Sequence, residues 1–170
     1  MTHPLVTQLR FARSELVRAF DGVTEEDAQR RILPMNCLSW MVGHLANQEN
    51  FYWVLLAQDE HLAPGLNDLV GYGQPASTPS LEEMWEVWEQ VTSMADKFLD
   101  TLTPDLMQTL LEWRGKPRFE NIGTMLLRNI YHYWFHTGEA IALRQLLGHK
   151  ELPEFVGDMS RAIYSPEAGI

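Results

Sequence analysis

Apolar residues recur along this chain at the spacing of a helix rather than of a strand. Leu5, Leu9, Ala12, Leu16 and Phe20 follow one another in steps of four, three, four and four, which predicts an amphipathic helix from about Leu5 to Phe20. Asp21-Gly22 ends it, and Thr24-Glu25-Glu26-Asp27 resembles a capping box opening a short helix toward Ile32. A second long helix is predicted from near Ser39 to about Ala57, on a stripe of Met41, His44, Gln48, Phe51 and Leu55. The stretch 59–79 holds Ala63-Pro64-Gly65 and Gly71-Tyr72-Gly73-Gln74-Pro75 and reads as a long surface crossing, a length tied to function or to a topological crossover.

Ser80-Leu81-Glu82-Glu83 is a capping box for a third helix through Met84, Trp85, Trp88, Val91, Ala95, Phe98 and Leu102, which Thr103-Pro104 stops. Between Asp105 and Phe119 the run Trp113-Arg114-Gly115-Lys116-Pro117 is a turn signal, compatible with a short hairpin or with a loop. A fourth helix starts near Asn121 and ends at Gly148, with Met125, Asn129, His132, His136, Ala140, Leu143 and Leu147 as its core stripe. The tail, Glu151 to Ile170, contains Pro153 and Pro166 and is expected to wrap the outside. Four long helices with a crossing between the second and third predict an all-α four-helix bundle in a single domain, residues 1–170.

Composition narrows the partners. A chain of 170 residues, 45% of them hydrophobic, can bury a core without disulfides. Its formal charge of -10 disfavours nucleic acid and anionic membrane surfaces, and no apolar run approaches the ~20 residues that span a bilayer. The N-terminal residues lack the basic and apolar stretches of a signal peptide, so a soluble cytoplasmic protein is expected. Cys37 is the only cysteine, which excludes an intrachain disulfide, a cysteine-based zinc site and a dithiol redox couple.

The histidines change the picture most. His132 and His136 lie one helical turn apart, so both imidazoles leave the same face and can reach one ion. His44 occupies an inward position of the second helix, where a purely structural bundle would carry Leu or Ile. A lone buried histidine is usually a satisfied core residue. Two on one stripe leave several ring nitrogens to satisfy in apolar surroundings, each unmet group costing roughly 1–3 kcal/mol. Three neutral imidazoles with an open fourth position are the ligand set of a catalytic metal site. The residues three before the histidines are Met41, Asn129 and Tyr133, so the Glu-x-x-His of di-iron bundles is missing, as is the His-Glu-x-x-His of zincins.

Around this set, Glu139 lies seven residues after His132 on nearly the same face and is a candidate to orient a ligand or to supply a catalytic carboxylate. Gln48, one turn beyond His44, and Arg128, one turn before His132, are candidates for binding substrate, Arg128 through a carboxylate. His3, His61 and His149 are expected at the surface. Trp85, Trp88 and Trp134 line a cavity if inward and otherwise belong to the core.

Ser39-Trp40-Met41-Val42-Gly43-His44-Leu45, His132-Tyr133-Trp134-Phe135-His136-Thr137-Gly138-Glu139-Ala140 and Leu143-Arg144-Gln145-Leu146-Leu147-Gly148 together resemble the DinB/YfiT-like superfamily of small bacterial metalloenzymes. The resemblance covers nearly the whole chain. It implies an up-down-down-up bundle, a divalent metal, commonly zinc or nickel, on His44, His132 and His136, and homodimers. Some members it resembles are thiol-dependent transferases or isomerases using a low-molecular-weight thiol such as mycothiol, bacillithiol or glutathione. The expectation is therefore a metal-dependent thiol S-transferase acting on a small molecule. A metal-dependent hydrolase and a non-catalytic, metal-stabilised interaction module are the alternatives.

Overall fold

The computed structural model describes residues 2–154 and 156–163. They are mostly helical, with seven α-helices, a π-helical segment, a 3-10 turn and one small two-stranded sheet. Helix α1 (Pro4–Ala19) opens with proline in its first turn and with His3, whose Nδ1 accepts the Leu5 amide, so this histidine is a cap. Thr24 caps α2 (Glu25–Gln29) by accepting the Asp27 amide. Two long helices follow, α3 (Leu38–Glu49) and α5 (Leu81–Leu99), and between them lies the short α4 (Leu66–Val70). The fourth long helix is α7 (Ile122–Leu147), preceded by the single turn α6 (Pro104–Met107). Helix α1 packs along α7, α3 packs along α5 and also meets α7, and one apolar core joins them.

The sequence-predicted caps appear where the hydrogen bonding requires them. Ser80 Oγ accepts the Glu83 amide, Asn121 Oδ1 accepts the Thr124 amide, and Gly148 ends α7 at φ 91°, a left-handed conformation that favours glycine. The second helix departs from expectation. Its α-helical part stops at Glu49, and Asn50–Leu56 continues as a π-helix. The wider i→i+5 winding shifts the inward face, so Trp53 and Val54 are fully buried while Phe51 and Leu55, expected on the stripe, are half-buried.

The turn signal after α6 closes a hairpin. Strands β1 (Leu110–Trp113) and β2 (Lys116–Asn121) pair antiparallel, Trp113 opposite Lys116 and Leu110 opposite Asn121, with a bulge between. Arg114 and Gly115 both take positive φ, 52° and 73°, as a two-residue hairpin turn requires. The hairpin docks through Trp113, whose ring meets Phe51 edge-on at 5.3 Å. Of the tail, Met159–Ala162 forms a 3-10 turn against α1, where the Ala162 carbonyl accepts from Gln8 and the Gly157 amide donates to Glu15. Phe155 and residues 164–170 of the expected wrap lie outside the described residues.

Gly43 sets how closely α3 approaches its neighbours beside His44. A Cβ there would sit 2.4 Å from Met84 Sδ and 3.1 Å from Val70 Cγ1, so Gly43→Ala must push α5 or α4 away. The expected cost is about 1–3 kcal/mol, read as a lowered urea midpoint. An unmoved midpoint would mean that Met84 yields freely.

Candidate metal centre

Helices α3 and α7 bring His44, His132 and His136 together, with one ligand atom from each lying within 4.8 Å of the others. His132 Nε2 and His136 Nε2 are 3.0 Å apart. His44 stands edge-on to both rings, at centroid distances of 4.9 and 5.2 Å, and Trp40 stacks flat on its other side at 4.4 Å.

The other nitrogen of each ring decides the tautomer. His44 Nδ1–H donates to the Val70 carbonyl at 2.8 Å, an acceptor that cannot donate. His136 Nδ1 meets the Glu139 carboxylate at 2.7 Å. For His132 the partner is Gln48 Oε1 at 3.0 Å, and an amide could in principle present either end. Here a chain of contacts removes the choice. The buried indole of Trp53 can only donate, and it does so to Asn129 Oδ1 at 2.7 Å. Asn129 must therefore turn its NH2 toward Gln48, at 3.0 Å, and Gln48 must answer with its oxygen, which then accepts His132 Nδ1–H.

Each imidazole thus carries a proton on Nδ1 and turns its Nε2 toward the others. Burial first, then the neighbouring His136 and His44, pushes the His132 pKa down to about 3, and burial also lowers that of His44. Both rings are neutral at pH 7. The two Nε2 atoms of His132 and His136, 3.0 Å apart, are close enough to share one proton or one metal ion. With Zn–N bonds of about 2.0–2.1 Å, tetrahedral geometry separates ligand nitrogens by roughly 3.3 Å, so the donor set and its spacing fit a divalent metal.

A family model for the DinB superfamily matches residues 8–140, a span that includes all three histidines. The chain belongs to the DinB superfamily. No curated protein matches it. In this DinB chain the histidine triad borders an open cavity. His44 and His132 line a cavity of about 770 Å³, together with Gln48, Tyr52, Arg118 and Arg128 among others, while His136 is buried behind them.

The other sequence candidates fall into place around that cavity. Gln48 and Glu139 each bond a histidine, and Arg128 lines the cavity paired with Glu120. His61 is exposed, as expected. His149, expected at the surface, is half-buried: its Nδ1 accepts from Arg144 Nε–H and its Nε2 lies 3.2 Å from Asp27, because Arg144 is drawn in to carbonyls of Ala19 and Asp21. Trp85 and Trp88 pack edge-on to each other on α5, away from the triad, and Cys37 is buried with its sulfur 3.3 Å from Ser39 Oγ. Trp40, Val70, Asn129 and Trp53 support the histidines without having been singled out from sequence. The only signal for Asn129 was a polar residue on the α7 stripe.

Gln48→Leu keeps the volume but removes the acceptor that holds His132. Divalent-metal affinity, measured by chelator competition, is expected to fall by about 10–100-fold. Unchanged affinity would show that the tautomer is held by something else.

Proposed function

We propose that this protein is a metal-dependent enzyme of the thiol S-transferase type, working on a small molecule, with zinc or nickel on His44, His132 and His136. The observation that carries the reading is three histidine nitrogens converging beside an open cavity that His44 and His132 line. Three protein ligands that leave one side accessible are the pattern of a catalytic site, since structural sites are closed. A metal held there would supply a Lewis acid, lowering the pKa of a thiol that reached it.

The chain's own residues do the rest. Val70, Gln48 and Glu139 hold the three rings by their Nδ1 protons, and Trp40 fixes the His44 plane. Glu139, open to two roles from its spacing, is committed to His136 and acts through it as a positioning residue. Gln48 is likewise committed to His132, so its part in substrate binding is to shape the cavity wall. Arg128 and Arg118 present cationic groups to whatever enters.

The reading extends to the architecture. We take α1, α3, α5 and α7 as one four-helix bundle domain in up-down-down-up order, supported by the α1–α7 and α3–α5 packing and by the crossing between α3 and α5. No helix among the described residues is long and apolar enough to cross a membrane. Tyr131 and Phe135, one turn apart and about two-thirds exposed on α7, support a homodimer.

Protein purified without a metal column and supplied with a thiol and a panel of alkyl and epoxide electrophiles tests the activity. Thiol-dependent turnover that disappears in His44→Ala is the expected result. Turnover that survives this substitution, or that no thiol supports, would overturn the assignment.

A further inference from the structure

Arg118 projects from β2, half-buried, with its guanidinium carbon 5.6 Å from the centroid of Phe51. Its Nε is buried and has no hydrogen-bond partner, and no carboxylate among the described residues forms an ion pair with it. The neighbouring Arg128 differs. Its Nε–H donates to Glu120 Oε2 at 2.9 Å and its Nη2 pairs with Oε1, hydrogen bonds that hold the Glu120 carboxyl below its usual range. All three residues line the cavity of His44 and His132. Two guanidiniums against one carboxylate leave one uncompensated positive charge on that wall, in a chain whose net charge is -10.

The outer nitrogens of Arg118 have no hydrogen-bond partner among the described residues, and a ligand that supplies an acceptor there gains a charge-assisted hydrogen bond. The planar fork of an arginine matches a carboxylate better than any other common anion on small metabolites apart from phosphate, and one free guanidinium balances a single negative charge. Tyr72 and Phe119, both almost fully exposed at the same cavity, offer apolar surface for the body of a ligand.

We propose that the small molecule taken by this cavity carries a carboxylate that binds Arg118, while its metal-seeking atom reaches the three histidines. This subsite rests on the metal-dependent function proposed above. The outer nitrogens of Arg118 are the recognition element, Arg128 being occupied by Glu120.

The test compares two thiols differing only in charge, 3-mercaptopropionate and its methyl ester, titrated calorimetrically into zinc-loaded protein. The acid is expected to bind at least about tenfold more tightly than the ester, as a charge-assisted hydrogen bond allows. In Arg118→Met, which preserves packing on Phe51, the preference should vanish with ester affinity unchanged; Arg118→Lys should retain part of it. Equal affinity for acid and ester in the wild type, at one zinc per chain, would overturn the subsite and leave the metal function standing. So would a preference that persists in Arg118→Met, or zinc-loaded protein that binds neither thiol. Failure to hold zinc at all would overturn both.

Discussion

His136→Ala is expected to lower divalent-metal affinity by about 100–1000-fold, a quarter share of the roughly 10–16 kcal/mol typical of a four-ligand zinc site. The substitution removes one of three convergent imidazole nitrogens and strands the Glu139 carboxylate that held the ring. Because His136 is the buried member of the triad, no solvent-side group replaces it. Chelator competition on wild type and variant reads the effect directly. His136→Ala should also bind less zinc than His61→Ala, a surface control that should bind as the wild type does. A variant that retains wild-type affinity would mean that the metal is held elsewhere.

The second large effect concerns stability. Glu49, fully buried at the end of the α-helical part of α3, takes a bidentate pair from Arg13, with Arg13 Nε–H donating to Oε1 at 2.8 Å and Nη2 pairing with Oε2. Tyr133 OH donates to the same Oε1 at 2.6 Å and itself accepts from Trp88 Nε1–H at 2.7 Å. Burial, then Glu49, raises the Tyr133 pKa well above its ordinary value, so the hydroxyl keeps its proton and stays a donor. This network joins α1, α3, α5 and α7 through one carboxylate.

Glu49→Ala leaves Arg13 buried with only the partly exposed Asp96 as a counter-ion, and leaves the Tyr133 donor without its acceptor. Breaking a buried pair on one side costs about 3–5 kcal/mol. At roughly 2–4 °C per kcal/mol for a chain of this size, Tm should fall by about 6–20 °C. Glu49→Gln, which keeps an acceptor but not the charge, should lose less. A shift below about 2 °C for the alanine variant would show that water reaches Arg13 and that the network is not what ties the helices together.

Much of this molecule was legible in sequence because the helical periodicity and the cap residues are strict. Leu9, Ala12, Leu16 and Phe20 are buried where the spacing put them, and Ser80, Asn121 and Gly148 bound their helices by local chemistry alone. The histidine triad was legible for the same reason: a four-residue interval has only one meaning on a helix. What supports the triad was not. The acceptor for His44 is a backbone carbonyl, which no residue type announces, and it belongs to α4, five residues within a glycine- and proline-rich crossing.

The relay from Trp53 through Asn129 and Gln48 depends on contacts across α3 and α7, and on a π-helical segment that shifts Trp53 inward. A stripe drawn with α-helical spacing points instead to Phe51 and Leu55. Arg13 and Glu49 were equally hidden, since charged residues beside an apolar stripe ordinarily face water and only tertiary contact shows that these two neutralise each other. His149 differs from expectation on the same ground, being drawn in by Arg144 rather than by anything near it in sequence.

The central claim is that three imidazoles, each held by its Nδ1 proton, hold one divalent metal by Nε2. X-ray absorption at the metal edge, on protein loaded with one equivalent of zinc, measures this most directly. The expected result is one ion per chain with three imidazole nitrogens at about 2.0–2.1 Å and a further light-atom or sulfur ligand that exchanges when a thiol is added. A first shell without imidazole scattering, or less than about half an ion retained per chain at micromolar protein, would contradict it.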